Sequence, residues 1–485
     1  MKKTFYALTL LLLINTLDAN SQYLVNATQI ATRTSSHVQS KLNFWTWNTS
    51  GMTLNDVIIY KVVYNTVDAH GNPTIASGAL HVPLIDSCTY FPLVSEQHGT
   101  VFDKTNVPST NYQEEAGLIF SGNGYLVTMP DYLGMGDNPG IHPYHHWESQ
   151  ATASIDLIRA SREFLIDSLQ IQDNNQLFLT GYSQGGHATM SVHKYIQDNN
   201  LGSEFNIVAS APMAGAYSLS GAQYDLMFDA DSSYYMTEFI PYLLASYQLV
   251  YGNIYNAYDE IYDPPYDSLI NQYLNGNYSY TQWNNMMPKN FYDFFQDSVY
   301  NNMLADVTRN SHPINKAFRA NDLYNWAPQK PLRMLYNGLD SMVSPQSSTL
   351  ALDSMTALGA PNVDAINIDP NGTHEAGYVP SATYALNWFD SLKVPCQLVS
   401  NILDRQVQND INIYPNPANN TLFIEYKDDL EIYIYTLTGK LLLKSRINQS
   451  GQLDVSTLPT GIYILEAVDE KQNKTMRKKF IKKSR

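Results

Sequence analysis

The chain has 485 residues, a formal net charge of −16 and 44% hydrophobic residues. It is too long for one ordinary domain and apolar enough to bury a large core, which excludes wholesale disorder. So large an excess of carboxylates argues against nucleic acid as a partner, which needs clustered Lys and Arg, and against a strongly anionic substrate.

Residues 1–21 read as a secretory signal peptide: Lys2 and Lys3 precede a short apolar run from Ala7 to Ile14, and small residues at Ala19 and Ser21 stand before Gln22. That run is far shorter than the roughly 20 residues of a membrane span, and no other segment is long enough, so no stable span is expected. Residues 22–56 are polar and rich in Ser, Thr and Asn, and read as a loosely ordered lead-in. The next unit, 57–396, opens with two β-branched runs, Val57–Asn65 and Pro73–Val82, separated by Asp68-Ala69-His70-Gly71-Asn72, a hairpin signature. Short apolar runs of buried-strand type follow at Tyr90–Ser95, Gly124–Met129, Gln176–Thr180, Asn206–Ala211, Leu332–Tyr336 and Val363–Ile368. Helical patterns lie between several of them, at Gln150–Leu169 and His187–Gln197, so the fold class is α/β with a mostly parallel sheet.

The alternation breaks between about 215 and 310. This insert holds 16 of the 36 tyrosines, and 11 acidic residues against Lys289 and Arg309. It is too long and aromatic for a loop and reads as a mainly helical cap that covers Ser183 and disfavours anionic ligands. Cys88 precedes one strand and Cys396 follows the helix after the last, so both belong at the N-terminal edge of the sheet and are expected to pair. Residues 397–410 are a polar linker. From 411 to 485 short alternating runs punctuated by Pro415-Asn416-Pro417, Thr438-Gly439 and Pro459-Thr460-Gly461 indicate a small all-β sandwich.

The chemistry concentrates at Gly181-Tyr182-Ser183-Gln184-Gly185. A G-x-S-x-G string is weak alone, but here it sits between an apolar strand and a helical pattern, the context of a nucleophile on a sharp turn. A serine needs a base and a carboxylate, which in this architecture follow in the order acid, then histidine. His374 is the sole histidine after His312, and it lies in the loop after the last strand. Asp340 follows Leu332–Tyr336 directly, at the C-terminal edge of the sheet; Asp322, Asp353, Asp364 and Asp369 compete from poorer positions. Glu375 reads as solvated. The backbone N–H of Gln184 and that of Thr100, after Gln97-His98-Gly99, are the expected oxyanion donors, with Gly99 turning the backbone and His98 shaping the loop. His142, His145 and His146 lack a carboxylate or Cys partner at familiar metal spacing and read as a structural loop. No metal and no cofactor is expected.

Roughly residues 85–395 resemble the α/β-hydrolase superfamily and, more narrowly, the secreted lipase family that includes fungal lipase A-type enzymes. The strings that carry the resemblance are Gln97–Thr100, Pro130–Gly136, His142–Tyr144, Gly181–His187 and Leu323–Pro328, the last leading into Asn337–Asp340. It implies a helical cap after the sixth strand, a small-molecule or lipid ester as substrate, and Ser183, Asp340, His374, Thr100 and Gln184 as triad and oxyanion donors. Residues 411–485 resemble the C-terminal sorting domain of type IX secretion cargo, on Ile413–Ala418, Leu458–Tyr463 and Lys479–Lys482. That resemblance implies the type IX machinery as a partner and a secreted or cell-surface location. A carbohydrate-binding β module is the alternative for this tail. For the whole chain the alternatives to an esterase are a serine peptidase and a non-catalytic surface binding protein.

Overall fold

In the computed structural model, residues 22–396 are described apart from 49–51, 87, 111–112, 229–233 and 235, and residues 411–483 apart from 437–439 and 470–473. The signal-peptide reading of 1–21 and the linker reading of 397–410 lie outside the described residues. Contacts divide the chain into one unit up to residue 398 and a second from 399.

The first unit begins with strand β1 (Leu24–Arg33) and helix α1 (Ser35–Phe44), then the hairpin β2 (Asp56–Val67) and β3 (Pro73–Leu84). Asp68 closes the hairpin by accepting from the backbone of His70 and Asn72, and Gly71 takes φ +80°. Next come β4 (Tyr90–Gln97), α2 (Glu114–Ser121), β5 (Leu126–Pro130), α3 (Trp147–Phe164), β6 (Gln172–Tyr182), α4 (Gln184–Asp198) and β7 (Ile207–Met213). Among the described residues, α5 (Tyr224–Phe228), α6 (Phe239–Tyr251), α7 (Tyr266–Tyr273), α8 (Tyr280–Met286) and α9 (Asp297–Ala305) follow. The chain returns through α10 (Pro313–Ala320), β8 (Leu332–Asn337), α11 (Gln346–Ala357), β9 (Val363–Asp369) and α12 (Tyr378–Asp390).

The nine strands form one sheet in the order β1-β2-β3-β5-β4-β6-β7-β8-β9. The first three are antiparallel, and from β5 onward all neighbours are parallel, so the loops that follow β4, β6, β8 and β9 meet at one edge. The parallel strands are apolar on both faces because helices cover both. α1, α2 and α12 pack one face through Val38, Leu118 and Leu386, and α3 and α4 pack the other through Ile155, Leu157 and Val192. Cys88 and Cys396 are joined by a disulfide with their Cα atoms 6.0 Å apart. Among the described residues no helix is long and apolar enough to cross a membrane.

The segment read as a loosely ordered lead-in carries regular structure among its described residues. β1 is an edge strand, and an edge strand is held by its backbone ladder to β2, which polar side chains do not prevent. Thr34 caps α1 by accepting from the backbone of His37 at 3.2 Å, and Val38 and Leu42, one turn apart, are both fully buried. Arg33 and Lys41 both reach Glu114 of α2, at 2.8 and 3.3 Å, and fasten this segment to the body.

The second unit has two sheets. β10 (Asn412–Tyr414), β11 (Thr421–Glu425) and β14 (Gly451–Asp454) form one, in the order β10-β11-β14. β12 (Leu430–Thr436), β13 (Leu441–Ile447), β15 (Gly461–Asp469) and β16 (Lys474–Lys482) form the other, in the order β13-β12-β15-β16, and every pairing in both is antiparallel. Leu422, Ile424, Ile432, Ile434, Leu465 and Phe480 share its core.

Candidate active site

β6 ends at Tyr182 and α4 begins at Gln184, so Ser183 alone makes the reversal, at φ +61° and ψ −118°. A non-glycine residue with positive φ is uncommon and costs of order 1–3 kcal/mol, held here by its surroundings. The Ser183 N–H donates to the Met213 carbonyl at 2.9 Å, and the Ser183 carbonyl accepts from Gly186 at 2.9 Å. A Cβ at Gly185 would collide with the Gln97 carbonyl and one at Gly186 with the Met213 carbonyl, so the tight turn requires glycine on the helix side.

Asp340 and His374 stand on the loops after β8 and β9, and the structure brings them together: His374 Nδ1 lies 2.7 Å from Asp340 Oδ2. The other oxygen, Oδ1, accepts from the backbone of Met342 at 3.0 Å and Val343 at 2.8 Å, which fixes the carboxylate plane. The Leu339 N–H donates to the Gly372 carbonyl at 3.1 Å and the Gly338 N–H to the Asp369 carbonyl at 2.8 Å, so the two loops are tied together. The competing acids are engaged elsewhere. Asp369 accepts from the backbone of Asn371 in its own turn, Asp322 accepts from the backbone and hydroxyl of Ser220, and Asp353 and Asp364 are exposed.

Thr100, Gln184, Ser183 and His374 all border one cavity of about 630 Å³. The Thr100 hydroxyl pairs with that of Tyr144 at 2.9 Å, and the Gln184 side-chain amide donates to His142 Nε2 at 2.7 Å while His142 Nδ1–H donates to the Leu133 carbonyl at 2.8 Å. Those bonds fix His142 as a neutral ring, and burial holds it down at about 3. His98 is buried between the Gly99 and Asp131 carbonyls, 2.7 and 3.3 Å away, and burial lowers it to about 4, so it shapes the loop. The steric role expected for Gly99 is absent: its φ is not left-handed, and a Cβ there would make only ordinary contacts, with the Tyr182 carbonyl and Ser183 Cβ. The three-histidine loop is absorbed structurally, with His146 Nδ1 on Ser149 Oγ at 3.0 Å and His145 packed edge-on against Tyr144 and His187. Among the described residues no group of three His, Cys, Asp or Glu is arranged to hold a metal ion.

Among the described residues no charged side chain of the cap borders this cavity. Asp225, Asp259, Glu260, Asp293 and Asp297 are exposed, whereas the described cap lining is uncharged, including Leu219, Met227, Phe239, Ile240 and Leu243. The carboxyl groups on the cavity wall are Glu96, Glu115 and Glu375, all from the body. Glu375 is exposed, while Glu96 and Glu115 are buried.

Two features of the site escape a reading by motif. Tyr182, the second residue of the Ser183 motif, donates its hydroxyl to the His374 carbonyl at 2.5 Å and accepts from Asn337 Nδ2 at 3.1 Å. The x of G-x-S-x-G thus supports the histidine loop, and its aromatic identity is the one signal the sequence offers. Lys41 and Trp45 of the N-terminal segment also border the cavity, a placement that the polar composition of 22–56 conceals.

The family profile described as Secretory lipase matches residues 109–392, and that described as Secretion system C-terminal sorting domain matches residues 412–483. No curated protein matches the sequence. Among solved structures, the chain is similar to the rice cell wall degrading esterase LipA from Xanthomonas oryzae at 25% identity and TM-score 0.69, covering 77% of this chain and 99% of that one. A putative hydrolase from Legionella pneumophila aligns at 25% identity and TM-score 0.69, over 80% of this chain and 100% of that one. Lipase A from Candida antarctica in its closed state shares the fold, at 17% identity and TM-score 0.57 over 78% and 84% of the two chains.

Proposed function

The chain belongs to the secretory lipase family and is a secreted or cell-surface ester hydrolase, and from that premise we propose that Ser183 is its nucleophile, His374 its general base and Asp340 the carboxylate that orients the imidazole. The observation that carries the reading is the convergence of a strained serine elbow and a hydrogen-bonded His–Asp pair on one cavity. With Nδ1 engaged by Asp340, Nε2 of His374 is the nitrogen left to take the Ser183 proton as Oγ attacks the ester carbonyl. The tetrahedral oxyanion is stabilised by the backbone N–H groups of Gln184 and Thr100, with the N-terminus of α4 adding favourable potential. Collapse breaks the carbon–oxygen bond to the alcohol, which leaves with the proton from His374. The acyl group remains on Ser183 until a water, deprotonated by His374, attacks and releases the acid.

A cavity of about 630 Å³ with an apolar cap wall suits an acyl chain, and its size is that of an ordinary small-ligand site. The sorting domain supports export by the type IX machinery. The test is Ser183→Ala in the secreted protein, assayed on p-nitrophenyl esters of rising chain length with the matching anilides as amide controls. Loss of ester hydrolysis with unchanged unfolding is expected. Wild-type turnover by the folded variant would remove Ser183 from its role, and faster cleavage of the anilide would favour a peptidase.

A further inference from the structure

The cavity changes character from one wall to the other. Its described cap side is uncharged and mainly apolar, with Gln223, Tyr234 and Tyr280 as its polar members, whereas the side built from α1, β4, α2 and the start of α12 presents Lys41, Glu96, Gln113, Glu115 and Tyr378. The Lys41 ammonium lies 3.3 Å from Glu114 and is engaged there. Glu96 is 3% exposed, its Oε2 has no hydrogen-bond partner, and its side chain borders the cavity. Burial, with Glu115 adding to it, pushes the Glu96 carboxyl up to about 8, so at neutral pH it is a carboxylic acid with an O–H to give. Burial raises Glu115 as well. Buried polar groups in native proteins are almost always satisfied, and a carboxyl on a cavity wall with an unpartnered oxygen, even one covered from the cavity in this structure, points to a ligand that completes it.

The direction of the reaction says which half of the ester arrives there. This step rests on the proposed role of His374, which hands its proton to the leaving alcohol, so that the alcohol departs on the imidazole side. Glu375 and Tyr378 follow His374 in the chain and border the same cavity. We propose that Glu96, with Glu115 and Gln113, forms a polar subsite for the alcohol half of the substrate, and that this subsite takes an uncharged, hydroxyl-bearing alcohol to which Glu96 donates a hydrogen bond. The acyl half then lies along the apolar cap wall. A cationic alcohol half meets no full countercharge at Glu96 while that group keeps its proton.

The test compares wild type, Glu96→Gln and Glu96→Leu as full-length secreted proteins on three hexanoate esters: ethyl, 2,3-dihydroxypropyl and 2-(trimethylammonio)ethyl. The readout is the ratio of kcat/KM for each substituted ester to that for the ethyl ester. Wild type should favour the dihydroxypropyl ester, and Glu96→Leu should lower that ratio about tenfold through KM, the size of one hydrogen bond lost. Glu96→Gln, whose amide still donates, should keep most of the preference. A ratio unchanged in Glu96→Leu would overturn the proposal, as would a wild-type preference for the cationic ester. As a second measurement that needs no variant, glycerol should inhibit wild-type hydrolysis of the ethyl ester at concentrations where propanol does not; equal inhibition by both would overturn the subsite. Failure of wild type on all three esters would instead sink the esterase role of Ser183, and the subsite with it.

Discussion

Replacing Tyr182 by Phe removes a single oxygen, one that serves two buried partners at once. That hydroxyl donates to the His374 carbonyl at 2.5 Å and accepts from Asn337 Nδ2 at 3.1 Å. Asn337 is fully buried, and its Oδ1 already lacks a partner, so the variant leaves the whole amide unsatisfied. Losing the bond to the carbonyl costs about 1 kcal/mol, and orphaning the buried amide costs about 1–3 kcal/mol more, so about 2–4 kcal/mol of stability is at stake. The ring itself stays, and its packing against His374, with centroids 5.1 Å apart, is kept. The expected kinetic effect is therefore a loosened histidine loop, with kcat lower by roughly tenfold and KM within about twofold. Urea unfolding gives the first quantity and steady-state ester hydrolysis the second. A double-mutant cycle with Asn337→Leu separates them, because in that background the hydroxyl no longer serves an amide and its removal should cost only about 1 kcal/mol, about 1–3 kcal/mol less than in wild type. A Tyr182→Phe variant that loses under about 0.5 kcal/mol and keeps its kcat would show that the hydroxyl supports neither the amide nor the histidine loop.

Asp340→Asn should lower kcat by about 10³–10⁴-fold through misorientation of His374, while Asp369→Asn, whose carboxylate serves its own turn, should stay near wild type; the reverse pattern would reassign the acid. Glu96 holds its proton in the fold up to about pH 8, against an ordinary value of 4.5 that the unfolded chain regains. The native state thus binds more protons across that window, and stability must fall as pH rises through it, by up to about 1.4 kcal/mol per pH unit. Wild type should therefore lose stability relative to Glu96→Gln between about pH 5 and 8 in urea midpoints, and a constant difference would mean that Glu96 titrates alike in both states. Deleting residues 411–485 should leave specific activity in cell extracts intact and abolish its appearance in the medium, since that unit has its own core and matches a sorting domain; undiminished activity in the medium would contradict this.

Much of the fold and of the candidate site's geometry was legible because local pattern and tertiary placement agree. Asp68–Asn72 carries both the side-chain acceptor and the glycine that the hairpin uses. The Ser183 motif was readable because the apolar run before it and the helical pattern after it are the two arms of the elbow. His374 stood out by elimination, and Asp340 by its place just beyond a strand. What stayed hidden depends on the backbone or on burial. β1 pairs through main-chain groups, which composition does not report. β16 runs through a lysine-rich tail whose sequence looks like a solvated end, yet Phe480 is fully buried and the strand pairs along its whole length with β15. Nothing in Ser95-Glu96-Gln97 marks the glutamate as buried, because a charged residue at a strand end is ordinarily solvated. The cap misled in a related way, since exposed carboxylates such as Asp225, Asp259, Glu260, Asp293 and Asp297 dominate its composition while its described wall toward the cavity is uncharged and mainly apolar.

The bond between Cys88 and Cys396 makes the chain from one to the other a covalent ring. Ser183, Asp340, His374, Thr100, Glu96 and the whole cap lie inside that ring, and the sorting unit lies outside it. Anything that removes the tail leaves the ring closed. A single protease cut within it, even at a site as exposed as Val307 in the cap, opens the ring into a line without releasing a fragment. Outside the cell, where no thiol pool reduces the bridge, such a nick leaves every residue of the site on one connected molecule. Physical separation of those residues takes two cuts, or one cut and a reductant.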